Sequence, residues 1–464
     1  MTDSSSQQIA IVGGGMLGMT LALRLAQAGH RVTLFEAADQ LGGLAAQWQL
    51  GDITWDKHYH VTLLSDLSFR QVLGELGLES SMEWVRTRTG VYADGRLYSV
   101  SNAVEFLRFP ALKMWDKFRL AATIVGGSKI RDPLPLEREL VADWLTRWSG
   151  PRTFQKFWLP LLKAKLGENY RKTSAAFIWA TIARLYAARR SGLKEEMFGY
   201  VPGGYDRILT TFADRLRALG VDIRLSSRVT EVRSEAGHIE IESAGDGFET
   251  FDRVALTVPA PVAAQLCPQL TSAERQRLDQ IEYQGIVCAS VLLRQPLADF
   301  YVTNITETWI PFTAVIEMSA LVDRQKYLGG HSLVYLPKYV TPDDEAWTLN
   351  DQEIQERFLS ALERLYPAFS RDDVQAFRVS RVRYVMSLPT LNYSQGLPGF
   401  RTSLPGVYLA SSFQIVNGTL NVNETVGLAE QAARTIVSET SATQTQGSVG
   451  ENDEADCQPV ARSR

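Results

Sequence analysis

The apolar positions of the chain follow two periods that change places along its length. Ile9–Val12 is a short unbroken apolar run, the pattern of a strand buried on both faces. Glycines interrupt it, and Met19–Gln27 continues as a helix with Leu17, Leu21 and Leu25 on one face. Val32–Phe35 predicts a second strand, and it ends in Glu36. Residues 84–100 alternate apolar and polar around Asp94-Gly95, a strong turn dipeptide. Residues 136–190 carry apolar side chains at helical spacing, for example Phe177, Ile178, Ile182 and Leu185, and predict successive helices.

A Gly203–Gly204 turn then opens a helix with Ile208, Phe212, Leu216 and Leu219 inward. Short strands and a hairpin follow, and a further strand ends at Val258-Pro259. Between 263 and 404 a charged helix, several buried strands and a second charged helix predict an antiparallel sheet with helices on one face. Gly406–Ala410 is a final strand and Thr425–Val437 a final helix. Residues 440–464 are rich in Ser, Thr, Gln and Glu and predict a disordered tail.

Length changes this picture first: 464 residues exceed one ordinary core, so two domains are expected. A net charge of −4 gives no general attraction to nucleic acid. Cys267, Cys288 and Cys457 are scattered and odd in number, which fits a reducing compartment and neither a disulfide framework nor a metal site. The first residues lack a basic segment and an apolar core, and no apolar run reaches bilayer length. A cytoplasmic protein is expected, with contact to a membrane surface still open.

The chemistry sits in the first glycines. Gly13, Gly15 and Gly18 have the G-x-G-x-x-G spacing between a strand and a helix. They supply a tight turn, close backbone approach to a diphosphate, and close packing of helix on strand. The helix N-terminus at Met16 and Leu17 offers unpaired N–H groups to phosphate. Glu36 suits the ribose hydroxyls of an adenosine.

After Glu36, the residues AADQLGGLA place a glycine doublet at Gly42–Gly43. The spacing Glu36-x5-Gly42-Gly43 resembles the signature of the flavin amine oxidase superfamily, which includes amine oxidases, protoporphyrinogen oxidases and phytoene-desaturase-type enzymes. The resemblance implies non-covalent FAD on a discontinuous Rossmann-like domain, an α/β unit with a parallel sheet, helices and an edge hairpin, formed by residues 8–95, 200–262 and 405–438. It implies a mixed α+β substrate domain formed by 96–199 and 263–404. Cofactor contacts are then expected from Gly13, Gly15, Met16, Leu17 and Gly18, and from Glu36, Ala37, Gly42, Gly43 and Leu44 in the doublet turn. The second segment contributes Val229, Thr257 and Pro259, and the third Ser411, Glu424, Thr425 and Val426. Two positions depart from the family. Leu44 stands where many members carry Arg or Lys, and Ser411–Ser412 where Gly-Asp or Gly-Glu is usual.

The stretch after the doublet holds His58, Tyr59 and His60, similar to the segment that runs beneath the flavin in protoporphyrinogen-oxidase-like proteins. An imidazole there either handles protons or hydrogen-bonds the flavin, or is simply a packed neighbour of it. Trp309, Tyr335, Lys338 and Tyr393 are candidate pocket residues. Lys338 is either the lysine that reaches flavin N5 through water in several amine oxidases, or a surface lysine. The aromatics Phe157, Trp158, Trp179 and Tyr186 line a substrate channel or form core. From Arg108 to Arg131 there are six basic residues and one acid, Asp116. Residues 102–131 are therefore either a membrane-surface segment or an amphipathic helix broken at Pro110 and Gly126-Gly127.

The functional expectation is an FAD-dependent oxidoreductase that dehydrogenates a small lipophilic substrate, porphyrinogen-like or isoprenoid-like, by hydride transfer to N5. The electron acceptor is undetermined, and no metal is expected. A reduced-flavin isomerase of the UDP-galactopyranose mutase type, an amine oxidase, and a flavin-binding protein without catalysis are the alternatives.

Overall fold

The computed structural model describes residues 6–110, 112–190, 197–235, 237–244, 247–416 and 419–449. One half is built on a five-stranded parallel sheet, in the order Asp222–Arg224, Arg31–Phe35, Gln8–Val12, Arg253–Leu256, Val407–Leu409. The apolar runs form strands here because both faces of the sheet are covered. On one face, Ile9, Ile11 and Leu34 pack under three helices, Met16–Gln27, Gly204–Ala218 and Val422–Val449. Leu21 and Leu25 of the first helix meet Phe212 and Leu216 of the second and Ala429 and Ile436 of the third. On the other face, Ala10, Val12, Phe35 and Val254 lie under Val232, Ile239, Ile241 and Phe251. Those four come from a three-stranded antiparallel sheet, Val229–Glu235, His238–Ser243 and Gly247–Phe251, which contains the expected hairpin and adds a third strand to it.

The other half is a seven-stranded sheet, in the order Val374–Ser387, Tyr283–Leu293, Ser332–Val340, Ala314–Glu317, Val302–Ile305, Thr89–Ala93, Arg96–Ser99. Val287, Ala289, Val291 and Leu293 turn one face to Ile354, Phe358 and Leu362 of the Asp351–Leu365 helix. The opposite face, with Ile286, Cys288, Leu292 and Tyr335, closes on Leu50, Ile53 and Trp55 of the hairpin Gln47–Leu50/Ile53–Asp56.

Three expectations change. The turn at Asp94-Gly95 forms as expected, with φ of 49° and 71°, the left-handed pair that a two-residue hairpin needs. The hairpin itself, Thr89–Ser99, belongs to the seven-stranded sheet because Thr89–Ala93 pairs in parallel with Val302–Ile305. The boundary expected at residue 95 therefore cuts through an element of the half built on the seven-stranded sheet. The final helix starts at Val422 and runs to Val449, so residues 440–449 are helical; 450–464 lie outside the described residues.

The 102–131 stretch breaks at Pro110, as expected, into the helices Ala103–Arg108 and Met114–Gly127. Gly126 and Gly127 do not break it. They form the last turn of the second helix, and Gly127 approaches Trp144 and Ile182 closely enough that a Cβ there would touch both. Trp158 and Trp179 are core residues of this helical region, and Phe157 packs against it. The Tyr186 side chain lies outside the described residues.

Candidate functional site

The first glycine turn is built from backbone and one side chain. Gly13 has φ of 114°, and its N–H donates to the Phe35 carbonyl at 2.8 Å. The Thr257 hydroxyl donates to the carbonyls of Gly13 and Val12 at 2.9 and 3.0 Å, tying two parallel strands together at their carboxyl ends. A Cβ on Gly18 would stand 1.9 Å from the Gly13 carbonyl oxygen, so helix and strand approach this closely only through glycine. Gly15 is different: a Cβ there would meet no protein atom within 4 Å. It caps the Met16–Gln27 helix, whose first amides have no intrahelical partner. Met16 and Leu17 bury their side chains, leaving only backbone to the site.

Glu36 closes the turn. Its carboxylate accepts from the N–H of Gly14 at 2.7 Å and of Ala38 at 2.8 Å. The doublet lies against the first turn through the Gly42 N–H, which donates to the Gly14 carbonyl at 2.9 Å. Gly42 and Gly43 have φ of 111° and 57°. The second segment arrives at the same place: Ser227 N–H donates to the Glu36 carbonyl and Ser226 N–H to the Ala38 carbonyl. Val229 is buried at the start of the strand that follows, and exposed Ala37 lies on the same turn as Glu36. An open glycine cap, a helix N-terminus and an adjacent carboxylate fit the diphosphate and ribose of FAD.

Other expected contacts are engaged within the protein. Thr257 is held by the glycine turn, and Pro259 opens the Ala260–Leu266 helix. Ser411 is buried in a reciprocal cap with Gln414, whose side-chain oxygen accepts from the Ser411 N–H at 2.9 Å. At the third segment Val426 is core, and the Thr425 hydroxyl donates to the Asn421 carbonyl at 2.8 Å. Asn421, absent from the expected set, caps this helix by accepting from Glu424 N–H at 3.1 Å. The signal was present as Asn421-x-x-Glu424, a capping-box pattern.

The histidines are neutral and positioned. His58 Nδ1 donates to the Leu44 carbonyl at 3.0 Å, which fixes the proton there; the Ser380 hydroxyl donates to Nε2 at 3.1 Å. The ring thus clamps the doublet turn to the seven-stranded sheet, the role of a packed neighbour. Burial lowers its pKa to about 4. His60 donates from Nδ1 to the His58 carbonyl at 3.0 Å, and its ring centroid stands 4.9 Å from that of Tyr205. Desolvation lowers its pKa to about 4 too. The Tyr59 and Tyr339 hydroxyls bond each other at 2.9 Å. Beneath this layer the carboxylate of Asp56, wholly buried, accepts from Tyr205 N–H at 2.8 Å, and burial raises its pKa to about 7.

Lys338 is not a site residue. It pairs with Val287, on the sheet face that covers the Asp351–Leu365 helix, and its ammonium is 2.6 Å from Asp344. Trp309 lies on that far side as well, under the Arg364 guanidinium. Tyr335 is buried and donates to the Asp56 carbonyl at 2.5 Å. Of the four candidate pocket residues, Tyr393 lines a cavity. That cavity encloses only about 30 Å³, with apolar walls of Phe177, Val385, Met386, Ile415 and Leu420 and the hydroxyls of Ser387, Tyr393, Ser412 and Thr419 among them. Leu420 directly precedes Asn421, so the cavity adjoins the N-terminus of the final helix.

Residues 17–437 match the model of the flavin containing amine oxidoreductase family. The chain is similar to the 15-cis-phytoene desaturase of Narcissus pseudonarcissus, 22% identical over 88% of this chain and 75% of that protein. It is similar to the zeta-carotene desaturase of a Synechocystis strain, 24% identical over 88% of this chain and 92% of that protein. Among solved structures, a candidate protoporphyrinogen oxidase from Exiguobacterium sp. 255-15 shares the fold, with a TM-score of 0.72, 18% identity, and coverage of 93% of this chain and 99% of that one.

Proposed function

Because the chain belongs to the flavin-containing amine oxidoreductase family and is therefore an FAD-dependent oxidoreductase, we propose that it dehydrogenates a lipophilic polyene or porphyrinogen-like molecule. The observation that carries this reading is the cavity beside the final helix: none of its lining side chains is charged. A substrate ammonium would need a carboxylate to neutralise it, and a nucleotide-sugar diphosphate would need cations. Phe177, Val385, Met386, Ile415 and Leu420 instead offer apolar surface, beside the uncharged hydroxyls of Ser387, Tyr393, Ser412 and Thr419. The similarity to a 15-cis-phytoene desaturase and a zeta-carotene desaturase supports the same class.

FAD held here would supply the hydride acceptor; the remaining work belongs to the protein. The Gly13–Gly18 turn, Glu36 and the Gly42–Gly43 doublet would hold the cofactor. His58, neutral and bonded at both nitrogens, fixes that doublet against Ser380. The apolar walls exclude water and orient a C–H bond, which is where positioning lowers the barrier. His60 carries the only imidazole nitrogen of the pair, Nε2, that no described group bonds.

A lipophilic substrate resides in a bilayer, and we place the contact on the helices Ala103–Arg108 and Met114–Gly127. Trp115 is 71% and Phe118 61% exposed, and Val104, Leu107 and Met114 are exposed beside them. Arg108, Lys113 and Arg119 lie among these, the composition that binds an anionic lipid surface. Among the described residues no helix is long and apolar enough to cross a membrane.

The test is anaerobic mixing of FAD-loaded protein with candidate donors, read as loss of the flavin's visible absorption. Polyenes or porphyrinogens delivered in anionic vesicles are expected to bleach it, and primary amines to leave it unchanged. Bleaching by amines alone would overturn the substrate class. The double variant Trp115→Asp/Phe118→Asp is expected to stop sedimenting with the vesicles while still being bleached by detergent-solubilised substrate.

A further inference from the structure

Lys165 brings a charge to the site that no protein group balances. It lies near the end of the Leu159–Leu166 helix. Lysines close to it in the chain have partners: Lys163 pairs with Glu168 at 3.3 Å, and Lys172 with Glu282. Among the described residues no carboxylate pairs with the Lys165 ammonium and no acceptor bonds it. It stands over two aromatic rings, 5.4 Å from the centre of Tyr339 and 6.0 Å from that of Phe177. Ring faces attract a cation but leave its N–H donors unbonded. A methionine would pack on the same rings without the cost of partly desolvating a charge.

Both rings belong to the candidate site. Phe177 is a wall of the cavity beside the final helix. Tyr339 stands opposite Ile286 in the seven-stranded sheet, and opposed residues of an antiparallel pair project to the same face. That is the face closed by the Gln47–Asp56 hairpin. The Tyr339 hydroxyl bonds that of Tyr59, which lies between His58 and His60 in the chain. Val385, a second wall of the cavity, packs in the same cluster as Tyr59 and Tyr339. Lys165, Tyr59 and Tyr339 are half-buried, so open space adjoins each of them. The ammonium thus stands where the cavity meets the Tyr59 segment.

We propose that Lys165 is a specificity-determining residue, whose ammonium seats a carboxylate at one end of an otherwise apolar substrate. This inference rests on the lipophilic-substrate reading above and narrows it, from any polyene or porphyrinogen to the carboxylic acids among them. Uncharged walls face the apolar body, and one cation takes one anionic group. A partly desolvated ammonium binds a carboxylate through a charge-assisted hydrogen bond, and it repels a substrate ammonium. The two rings hold the lysine in place until the carboxylate arrives.

Paired probes test it: a porphyrinogen with free carboxylates and its methyl ester, and a polyene carboxylic acid and its methyl ester. Each is presented without oxygen to FAD-loaded protein in a non-ionic detergent. Flavin bleaching against probe concentration gives a half-saturating concentration for each. Wild-type protein is expected to need about tenfold less of an acid than of its ester, the share of one charge-assisted hydrogen bond. In Lys165→Met and Lys165→Gln that ratio is expected to fall to about one, and in Lys165→Arg to return with the charge. A merely structural role would shift acid and ester together and leave the ratio in place. Equal acid and ester in wild-type protein, or an acid preference that survives in either charge-free variant, overturns the proposal. Wild-type protein that holds flavin but is bleached by neither acid nor ester is a failure of the lipophilic-substrate reading itself, and the role of Lys165 falls with it.

Discussion

Gly15→Val protein is expected to purify folded and colourless. A Cβ on Gly15 meets no protein atom within 4 Å, and φ of −72° with ψ of 177° is a conformation open to any residue. Nothing in the apoprotein requires glycine there. On the flavoprotein reading that space takes the diphosphate, at a helix N-terminus whose unpaired amides attract phosphate. A valine side chain fills that space and excludes the diphosphate. Three residues on, the same change has the opposite consequence. At Gly18 the Cβ would overlap the Gly13 carbonyl, a backbone atom that cannot step aside without separating strand from helix. Gly18→Val is expected to be insoluble or destabilised by about 3 kcal/mol or more. Absorption after acid precipitation reads flavin content, and thermal denaturation reads the fold. The pair separates a cofactor glycine from a packing glycine. Stoichiometric flavin in Gly15→Val would sink the assignment of this cradle.

The difference between those glycines also marks how far the chain could be read from its residues. The glycine turn, the doublet and Glu36 lie within about thirty positions, and local spacing is enough to place them. The hairpin turn at Asp94-Gly95 is local too. Its sheet is not, because Thr89–Ala93 finds its parallel partner at Val302–Ile305, across two hundred residues. Lys338 fails for a related reason. Which face of a strand holds a side chain is set by its neighbours, and only the pairing with Val287 puts it beside Asp344 and away from the cofactor. His58 was legible as a residue near the doublet; its second partner, Ser380, comes from a strand that no local pattern connects to it. The cavity is assembled from the Val374–Ser387 strand, the 412–420 segment and Phe177, and so appears only when the two halves meet.

Asp56→Asn is expected to make the protein more stable in alkaline solution and to leave it nearly unchanged in acid. Asp56 is buried against Tyr205, Tyr301 and Tyr335, with the like charge of Asp206 nearby, and no cation faces it among the described residues. Burial raises its pKa from 3.8 to about 7. For an acid whose folded pKa is raised, the folded state binds more protons than the unfolded one between the two values. Stability is therefore intact below about pH 4, falls as pH rises, and has lost its full share above about pH 7. The full share is at most about 4 kcal/mol, less whatever water penetration and relaxation recover. His58 and His60, lowered to about 4, act in the reverse sense and remove stability as pH falls below 6.5. They are present in both proteins and cancel in the difference. Asparagine copies the protonated acid, and its carbonyl oxygen can still accept from Tyr205 N–H. Melting curves of the two proteins should therefore nearly coincide near pH 4.5 and separate by several degrees near pH 8, with the variant higher. Parallel curves across that range would mean that Asp56 ionises normally in the fold. The Tyr205 turn beneath His60 would then rest on a charged carboxylate, and the neutral layer assigned to this side of the cofactor site would have to be abandoned.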